Sequence, residues 1–266
     1  MNILDTIIKY KRTEVAQRKE AVATSTLEKS AIFWRVPLSL KASLTDAAST
    51  GIIAEFKRQS PSKGVINARA SVVKVTTDYT AGGAACLSVL TDEHFFGGSD
   101  ADLLEARVNE IPILRKEFII DEYQILEARA IGADVILLIA ACLTPAEVRR
   151  LAVFARGLGL EVLLEIHNEE ELGHICEETE LVGVNNRDLK TFTVDIDRSI
   201  RLSRRIPAGK ILIAESGINQ VQTILQMKEA GFSGFLIGEN FMKTDDPGAA
   251  FQRFVRELQG NLSMEK

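Results

Sequence analysis

The sequence is short of several features that often reveal a protein's class. Only three of its 266 residues are cysteines, and they lie far apart with no CxxC spacing: Cys86, Cys142 and Cys176. A disulfide framework needs paired cysteines, usually in a small secreted chain, and a structural zinc site needs closely spaced ones. We therefore expect three free thiols, as is typical of a protein in the reducing cytoplasm.

Long apolar runs and basic runs are also missing. No stretch approaches the roughly eighteen apolar residues of a membrane-spanning helix. The N-terminal stretch MNILDTIIKYKRTEVAQRK has a helical period and many charges, unlike a secretory signal. The net charge is −5, and no basic run with interleaved aromatic residues suggests a nucleic-acid surface. We expect a cytoplasmic monomer without a nucleic-acid or membrane partner.

Histidine is scarce, and its placement does not suggest a metal site. His167 and His174 flank the acidic stretch HNEEELGH, but they lie further apart than the three to five residues of a helical metal pair. No GxGxxG follows the first predicted strand, so a dinucleotide fold is not indicated. We predict neither a metal nor an organic cofactor.

What the sequence does contain is a regular alternation of apolar runs and helical patterns. Eight runs rich in Val, Ile and Leu have the character of strands covered on both faces: GIIAEFK, ACLSVL, IPILRK, DVILLIA, EVLLEI, LVGVNN, KILIAES and GFLIG. Helical patterns lie between them and after the last one. Eight strands that alternate with helices predict an α/β fold, a (β/α)8 barrel, and no linker divides it. We therefore predict a single domain over residues 1–266.

Residues 1–48 do not fit this repeat and are predicted to be an N-terminal helical extension. They hold an apolar patch around Phe33 and Trp34 and an amphipathic helix with apolar positions at Ile3, Leu4, Ile7 and Ile8. One interpretation is that the extension covers a barrel opening. The other is that it contributes to a substrate pocket.

Ionisable residues collect where the predicted strands end. Reacting groups of such barrels sit at the carboxyl ends of the strands, and alternate strand residues share one face, as Glu55 and Lys57 would. Other strand ends carry Lys116, Glu165, Asn185 followed by Arg187, and Glu215 followed by Ser216. Such crowding shifts pKa values and favours acid-base chemistry. The structural alternative is an ion-pair network that merely closes the top of the barrel.

Small glycine-bearing loops follow the last two strands, in ESGI at 215–218 and IGEN at 237–240. Barrels commonly bind a phosphate there, and Ser216, Gly217 and Gly238 permit close backbone approach. Glu239 would place a carboxylate beside that phosphate. We expect its side chain to point away and its amide to donate.

Several long motifs resemble those of the indole-3-glycerol phosphate synthase family. They are IAEFKRQSPSKG, LSVLTDEHFFGGS, ILRKEFIIDEYQILEARAIGAD, LLEIHNEEEL, GVNNRDLKTF, AESGI and FLIGENFM. The resemblance extends through the whole barrel, and the N-terminal helix is similar to that family's extra helix. It implies ring closure, decarboxylation and dehydration of 1-(2-carboxyphenylamino)-1-deoxyribulose 5-phosphate, a step of tryptophan biosynthesis that needs no cofactor.

The resemblance also implies roles for the strand-end residues. Lys116 matches the general acid of ring closure, and Glu165 matches the carboxylate that transfers protons in the dehydration. Lys57 matches a residue that either engages the substrate carboxylate or acts as a second acid. Glu55 and Asn185 match groups that hold these lysines and the substrate hydroxyls. Further pocket or phosphate contacts are implied for Arg187, Glu215, Ser216, Ser60, Gly217, Gly238 and the amide of Glu239.

Two other functions fit these residues less well. Phosphoribosylanthranilate isomerase acts on a related sugar phosphate, but it resembles the present chain less, since it has a cysteine and an aspartate where Lys57 and Glu165 stand. A barrel that only binds a sugar phosphate would need the glycine loops but not both Lys116 and Glu165. The anionic substrate itself fits the chain's negative net charge only if local cations dominate the barrel mouth.

Overall fold

The computed structural model describes residues 3–188 and 193–264, so residues 189–192, which end the GVNNRDLKTF motif, lie outside it. Eight parallel strands close into a barrel in which each strand pairs with the next along the chain, and the last pairs with the first. The strands are β1 (Ile52–Phe56), β2 (Cys86–Leu90), β3 (Ile113–Lys116), β4 (Val135–Ile139), β5 (Glu161–Ile166), β6 (Leu181–Asn185), β7 (Ile211–Glu215) and β8 (Phe232–Ile237). The predicted (β/α)8 barrel is confirmed.

Helices surround this barrel and precede it. Before β1 lie α1 (Ile3–Ala21), α2 (Thr24–Leu27) and α3 (Leu40–Thr45). The later helices are α4 (Val72–Ala81), α5 (Glu93–Phe96), α6 (Asp100–Ala106), α7 (Glu122–Ala130), α8 (Pro145–Gly157), α9 (Ile196–Ser203), α10 (Val221–Glu229), α11 (Glu239–Met242) and α12 (Pro247–Met264). Between β5 and β6 the chain forms only a 3-10 turn, Glu169–His174. This short turn brings the acidic stretch close to the end of β5.

The strand pattern places an apolar core inside the barrel and charges above it. Alternate residues such as Ile53, Leu114, Leu163 and Ile213 point inward and form a buried cluster. Their outward neighbours pack against the surrounding helices in a second, larger cluster. Because side chains alternate along a strand, the inward residues two positions further on are charged at the carboxyl ends of β1, β3, β5 and β7. The inside of the barrel is therefore apolar at one end and ionic at the other.

The N-terminal segment contacts both ends of the barrel. Leu40 and Leu44 of α3 pack into the interior cluster, and Ser43 Oγ donates a hydrogen bond to the carbonyl of Ala85, which precedes β2. At the other end, α1 is anchored by the buried ammonium of Lys11, which forms ion pairs with acidic residues of α1 and of the loops after β2 and β3. A buried ammonium needs such partners to offset its lost hydration. The first helix is thus held beside the carboxyl ends of the strands.

A buried carboxylate ties the connection between α2 and α3 to the amino end of the barrel. Asp134, which precedes β4, is fully buried. One of its oxygens lies 2.5 Å from Arg35 Nη2 and accepts from the Leu38 amide at 2.7 Å. The other accepts from Arg107 Nη1 at 2.6 Å and from the Ile113 amide at 2.8 Å. Four donors, two of them guanidinium groups, therefore depend on this one side chain.

We expect Asp134→Asn to destabilise the fold by about 3 kcal/mol, because it removes the negative charge from between two largely buried guanidinium groups. Urea unfolding followed by circular dichroism measures the change. Asp245→Asn, at an exposed loop position, is the matched control and should alter the free energy of unfolding by less than about 0.5 kcal/mol. A loss below about 1 kcal/mol for the Asp134 variant would contradict the role given to this residue.

Candidate active site

A cavity of about 560 Å³ opens at the carboxyl ends of the strands. Every site residue predicted from the sequence lines it: Glu55, Lys57, Ser60, Lys116, Glu165, Asn185, Arg187, Glu215, Ser216, Gly217, Gly238 and Glu239. The parallel register makes this possible, because all the strands end at the same rim. Residues separated by more than half of the chain are therefore brought around a single hollow.

The ammonium of Lys116 stands at the centre of the charged cluster. Its Nζ lies 2.7 Å from Glu215 Oε2 and 3.2 Å from Glu165 Oε2, so one cation is shared by two carboxylates. Burial opposes the positive charge, but Glu215, Glu165 and Glu55 together raise the pKa of Lys116 above its ordinary value. Lys116 is therefore an ammonium ion at neutral pH.

The two carboxylates on Lys116 differ in their other partners. Glu165 Oε1 accepts a hydrogen bond from Asn185 Nδ2 at 3.0 Å and lies 3.0 Å from His167 Nε2. Burial alone would raise the pKa of Glu165, but Lys116, His167 and Asn185 hold it well below its usual range. Burial raises the pKa of Glu215 to about 7, because Lys116 only partly offsets it and Glu165 adds a like charge. The surroundings therefore favour the ionised form of Glu165 and oppose that of Glu215.

Two glycines leave room for buried carboxylates. A Cβ on Gly183 in β6 would lie 2.1 Å from Glu215 Oε1, and a Cβ on Gly238 would lie 2.5 Å from Glu55 Oε1. Both distances are shorter than real Cβ contacts, so a larger residue at either position would push the neighbouring carboxylate out of its place. The acids occupy space that neighbouring strands leave empty.

Glu55 and Lys57 form a pair on the same inward face of β1 and the residue that follows it. Lys57 Nζ lies 2.5 Å from Glu55 Oε1, and both side chains are largely buried. The prediction that these alternate residues share one face is confirmed. Unlike Lys116, Lys57 pairs with a single carboxylate among the described residues.

The loops after β6, β7 and β8 line one side of the cavity with small residues and exposed backbone, including Ser216, Gly217 and Gly238. Ser216 and Gly217 both have left-handed backbone conformations, with φ of 68° and 72°. The residue after β6 holds this loop in place, because Asn186 Nδ2 donates a hydrogen bond to the Ser216 carbonyl at 2.7 Å. The carboxylate of Glu239, expected to point away, lies 3.4 Å from Lys63 and 4.0 Å from Arg187. Its charge is thus offset by cations on two other loops.

The opposite side of the cavity is apolar. Its wall combines the first turn and a half of α1 with residues from the loops after β2 and β3, namely Ile3, Leu4, Ile7, Phe96 and Phe118. Such a wall suits a flat aromatic group, and the ionic side suits anions. Residues of the N-terminal extension therefore line the cavity, as one of the two interpretations of the sequence proposed.

His167 is the functional candidate that the sequence reasoning missed. The sequence spacing argues only against a metal-ligand role for it, yet its ring lies between Glu165 and Glu171. The sequence contains the signal, since Glu165 and His167 alternate at the end of β5 as Glu55 and Lys57 do at the end of β1.

Within residues 3–188 and 193–264, no three His, Cys, Asp or Glu side chains come together in a metal-binding arrangement. In the same part of the chain, no helix is long and apolar enough to cross a membrane.

Comparison with solved structures shows the same fold at low sequence identity. A chain of the tryptophan synthase complex from Pyrococcus furiosus superposes with a TM-score of 0.58 at 15% identity, over 80% of this chain and 98% of that one. The 3-hexulose-6-phosphate synthase from Salmonella typhimurium gives a TM-score of 0.61 at 12% identity, over 79% and 99% of the two chains. These similarities support the barrel architecture alone.

Comparison of sequences is more specific. The profile of the family described as indole-3-glycerol phosphate synthase matches residues 4–254. A protein of that name from Bacteroides thetaiotaomicron is 47% identical over 259 residues, which cover 97% of this chain and 99% of the relative. Another from Acidithiobacillus ferrooxidans is 43% identical, with 94% and 97% of the two chains covered. The chain belongs to the indole-3-glycerol phosphate synthase family.

Proposed function

We propose that the protein carries out the family's reaction in the cavity at the barrel mouth. The substrate is 1-(2-carboxyphenylamino)-1-deoxyribulose 5-phosphate, and the products are indole-3-glycerol phosphate, CO₂ and water. The observation that carries the proposal is the convergence of Lys116, Glu165 and Glu215 in one hollow that also has an apolar wall. Such a hollow offers an acid, a base and a surface for an aromatic ring.

In this proposal Lys116 donates a proton to the ribulose carbonyl oxygen as the aromatic carbon attacks the carbonyl. An ammonium held by two carboxylates is a reluctant acid, and the partial protonation of Glu215 near neutral pH offers a remedy. When Glu215 takes up a proton, Lys116 loses its nearer counter-charge and releases its own proton more readily. Decarboxylation then removes CO₂ from the ring carbon.

Glu165 serves the dehydration. Because it starts ionised, it can first accept a proton from the cyclised intermediate and then return one to the departing hydroxyl group. The Asn185 amide and the imidazole of His167 fix its Oε1, so that Oε2 is the oxygen that faces Lys116. Acid and base thus lie within hydrogen-bonding distance of one another before the substrate arrives.

The anionic ends of the substrate require cations and backbone donors. We propose that Lys57 anchors the substrate carboxylate, because it has a single carboxylate partner and is more easily drawn to a second anion than Lys116 is. Ser60, Ser216, Gly217, Gly238 and the amide of Glu239 are proposed to surround the phosphate, with Arg187 close by. The phosphate then lies beside β7 and β8, where barrels of this class commonly bind one.

The protein is further proposed to act as a monomer in the cytoplasm. The cavity is completed by α1 of the same chain, so no partner chain is needed to line it. Its three cysteines are free thiols, in keeping with a reducing compartment.

The proposed reaction is tested by adding the carboxyphenylamino sugar phosphate to the purified protein in the presence of EDTA. We expect indole fluorescence to appear, at a rate that EDTA does not change, because the reaction needs only the acid and base groups described. No fluorescence with intact, folded protein would contradict the proposed function.

Neutralising either proton-transfer group should abolish most of the turnover. We expect Lys116→Met and Glu165→Gln each to lower kcat at least about 10²-fold, since each removes a general acid-base group. Lys74→Met, at an exposed position on α4, is the matched control for the loss of a lysine charge and should leave kcat unchanged. Near-normal turnover in both site variants, with unaltered circular dichroism, would reject these roles.

The anchoring role of Lys57 predicts a particular division between KM and kcat. Lys57→Met should raise KM about 10-fold, the effect of losing one charge-assisted hydrogen bond, and lower kcat less. Steady-state kinetics at saturating and limiting substrate separate the two. A fall in kcat that exceeds the rise in KM would instead identify Lys57 as a second acid.

A further inference from the structure

The ring of His167 lies behind the active-site carboxylate, on the side away from Lys116. Its Nε2 is 3.0 Å from Glu165 Oε1, and its Nδ1 is 3.2 Å from Glu171 Oε2. The side chain is 7% exposed, so water does not substitute for these partners. His167 therefore joins an active-site acid to an acid outside the cavity lining.

Glu171 is held firmly enough to act as a brace. Its Oε2 also accepts the backbone N–H of His167 at 2.7 Å, and its Oε1 accepts Asn168 Nδ2 at 3.1 Å. These donors are the two residues between β5 and the 3-10 turn that holds Glu171, so the brace and the ring belong to one short segment. Movement of the ring would break contacts on both of its edges.

Each ring nitrogen lies within 3.2 Å of a carboxylate oxygen, and this arrangement favours a proton on both nitrogens. A neutral imidazole has one N–H and would turn a nitrogen lone pair toward one carboxylate, whereas the imidazolium ion presents an N–H to each. Burial opposes the charge, but Glu165 and Glu171 raise the pKa of His167 to about 10. The neighbouring thiol of Cys142 adds no charge, because burial raises its pKa, and Lys116 lies beyond Glu165.

This cation explains why the two carboxylates on Lys116 behave differently. Both are buried and both contact the same ammonium, and Glu215 is even the closer of the two. Only Glu165 has His167 against its other oxygen, together with Asn185. A second positive charge within about 4 Å favours the ionised form of the acid that it touches.

We propose that His167 is a positioning residue that acts through Glu165: its imidazolium ring, braced by Glu171, orients the Glu165 carboxylate and favours its ionised form. The proposal deepens the proposed function and rests on the role given there to Glu165. It also gives the acidic stretch after β5 a purpose in the active site, because Glu171 keeps the ring charged.

The charge of His167 can be measured without any turnover. In protein labelled with 15N-histidine, we expect both ring nitrogens of His167 to show the chemical shifts of an imidazolium ion at pH 8, with the His167→Gln variant providing the resonance assignment. A neutral ring at pH 8 would overturn the proposal, even if the enzyme were active. An imidazolium signal in an inactive protein would support the charge assigned to His167 and would contradict only the proposed reaction.

Kinetics then test whether the charge acts through Glu165. In His167→Gln we expect kcat to fall about 10-fold from misorientation, and the acidic limb of the kcat–pH profile to move up by about one pH unit, because Glu165 loses a nearby cation and gains proton affinity. Glu171→Gln should shift the limb in the same direction by less. KM should change little, since His167 does not line the cavity.

His174→Gln is the matched control. This second imidazole lies at the end of the 3-10 turn that contains Glu171. Among the described residues, its ring nitrogens contact the backbone carbonyls of Glu171 and Leu143. We expect the acidic limb of the kcat–pH profile to be unchanged in the His174→Gln variant. A purely structural role for His167 would lower stability or kcat without moving the limb, and an unmoved limb in folded His167→Gln would therefore overturn the proposal.

Discussion

The rest of the site depends on one ammonium ion shared by two carboxylates inside the mouth of the barrel. Lys116 cannot be buried there unless its charge is offset, and Glu165 and Glu215 cannot both be buried without a cation between them. The three groups come from β3, β5 and β7, so the ion cluster also connects alternate strands. The arrangement needed for proton transfer is thereby part of the packing of the barrel.

The apolar interior below this cluster and the charges above it have a common origin. On each of these strands the inward positions alternate with outward ones, and the last inward position before the rim is the ionic one. The lower inward residues, such as Leu114 and Leu163, exclude water from beneath the cluster. A low-dielectric floor strengthens the interactions of the charges above it. Fold and chemistry therefore use the same strand periodicity.

Much of this could be predicted from local sequence pattern. The eight apolar runs correspond to the eight strands, and alternation at the end of β1 correctly placed Glu55 and Lys57 on one face. The same rule selects His167 after Glu165, whereas the spacing of metal ligands concerns only its distance from His174. The N-terminal extension was harder to predict, because its contacts with both ends of the barrel depend on tertiary packing and not on any periodicity.

The different behaviour of Glu165 and Glu215 could be predicted from local pattern only in part. Both are glutamates at strand ends, and the imidazole of His167 follows Glu165 along the same strand end. The other neighbours are brought by the barrel register: the Asn185 amide for Glu165, and the bare backbone of Gly183 for Glu215. Such cross-strand relations follow only from the closed sheet.

Gly183 has a consequence for how this barrel could diverge. Any larger residue at that position would meet the end of the Glu215 side chain, so the carboxylate would have to turn away from its present place. A lineage that acquired a side chain on β6 would thereby move the acid on β7 away from Lys116, and restoring that contact would require reversing the substitution. An empty space thus links the mutational histories of two positions on neighbouring strands.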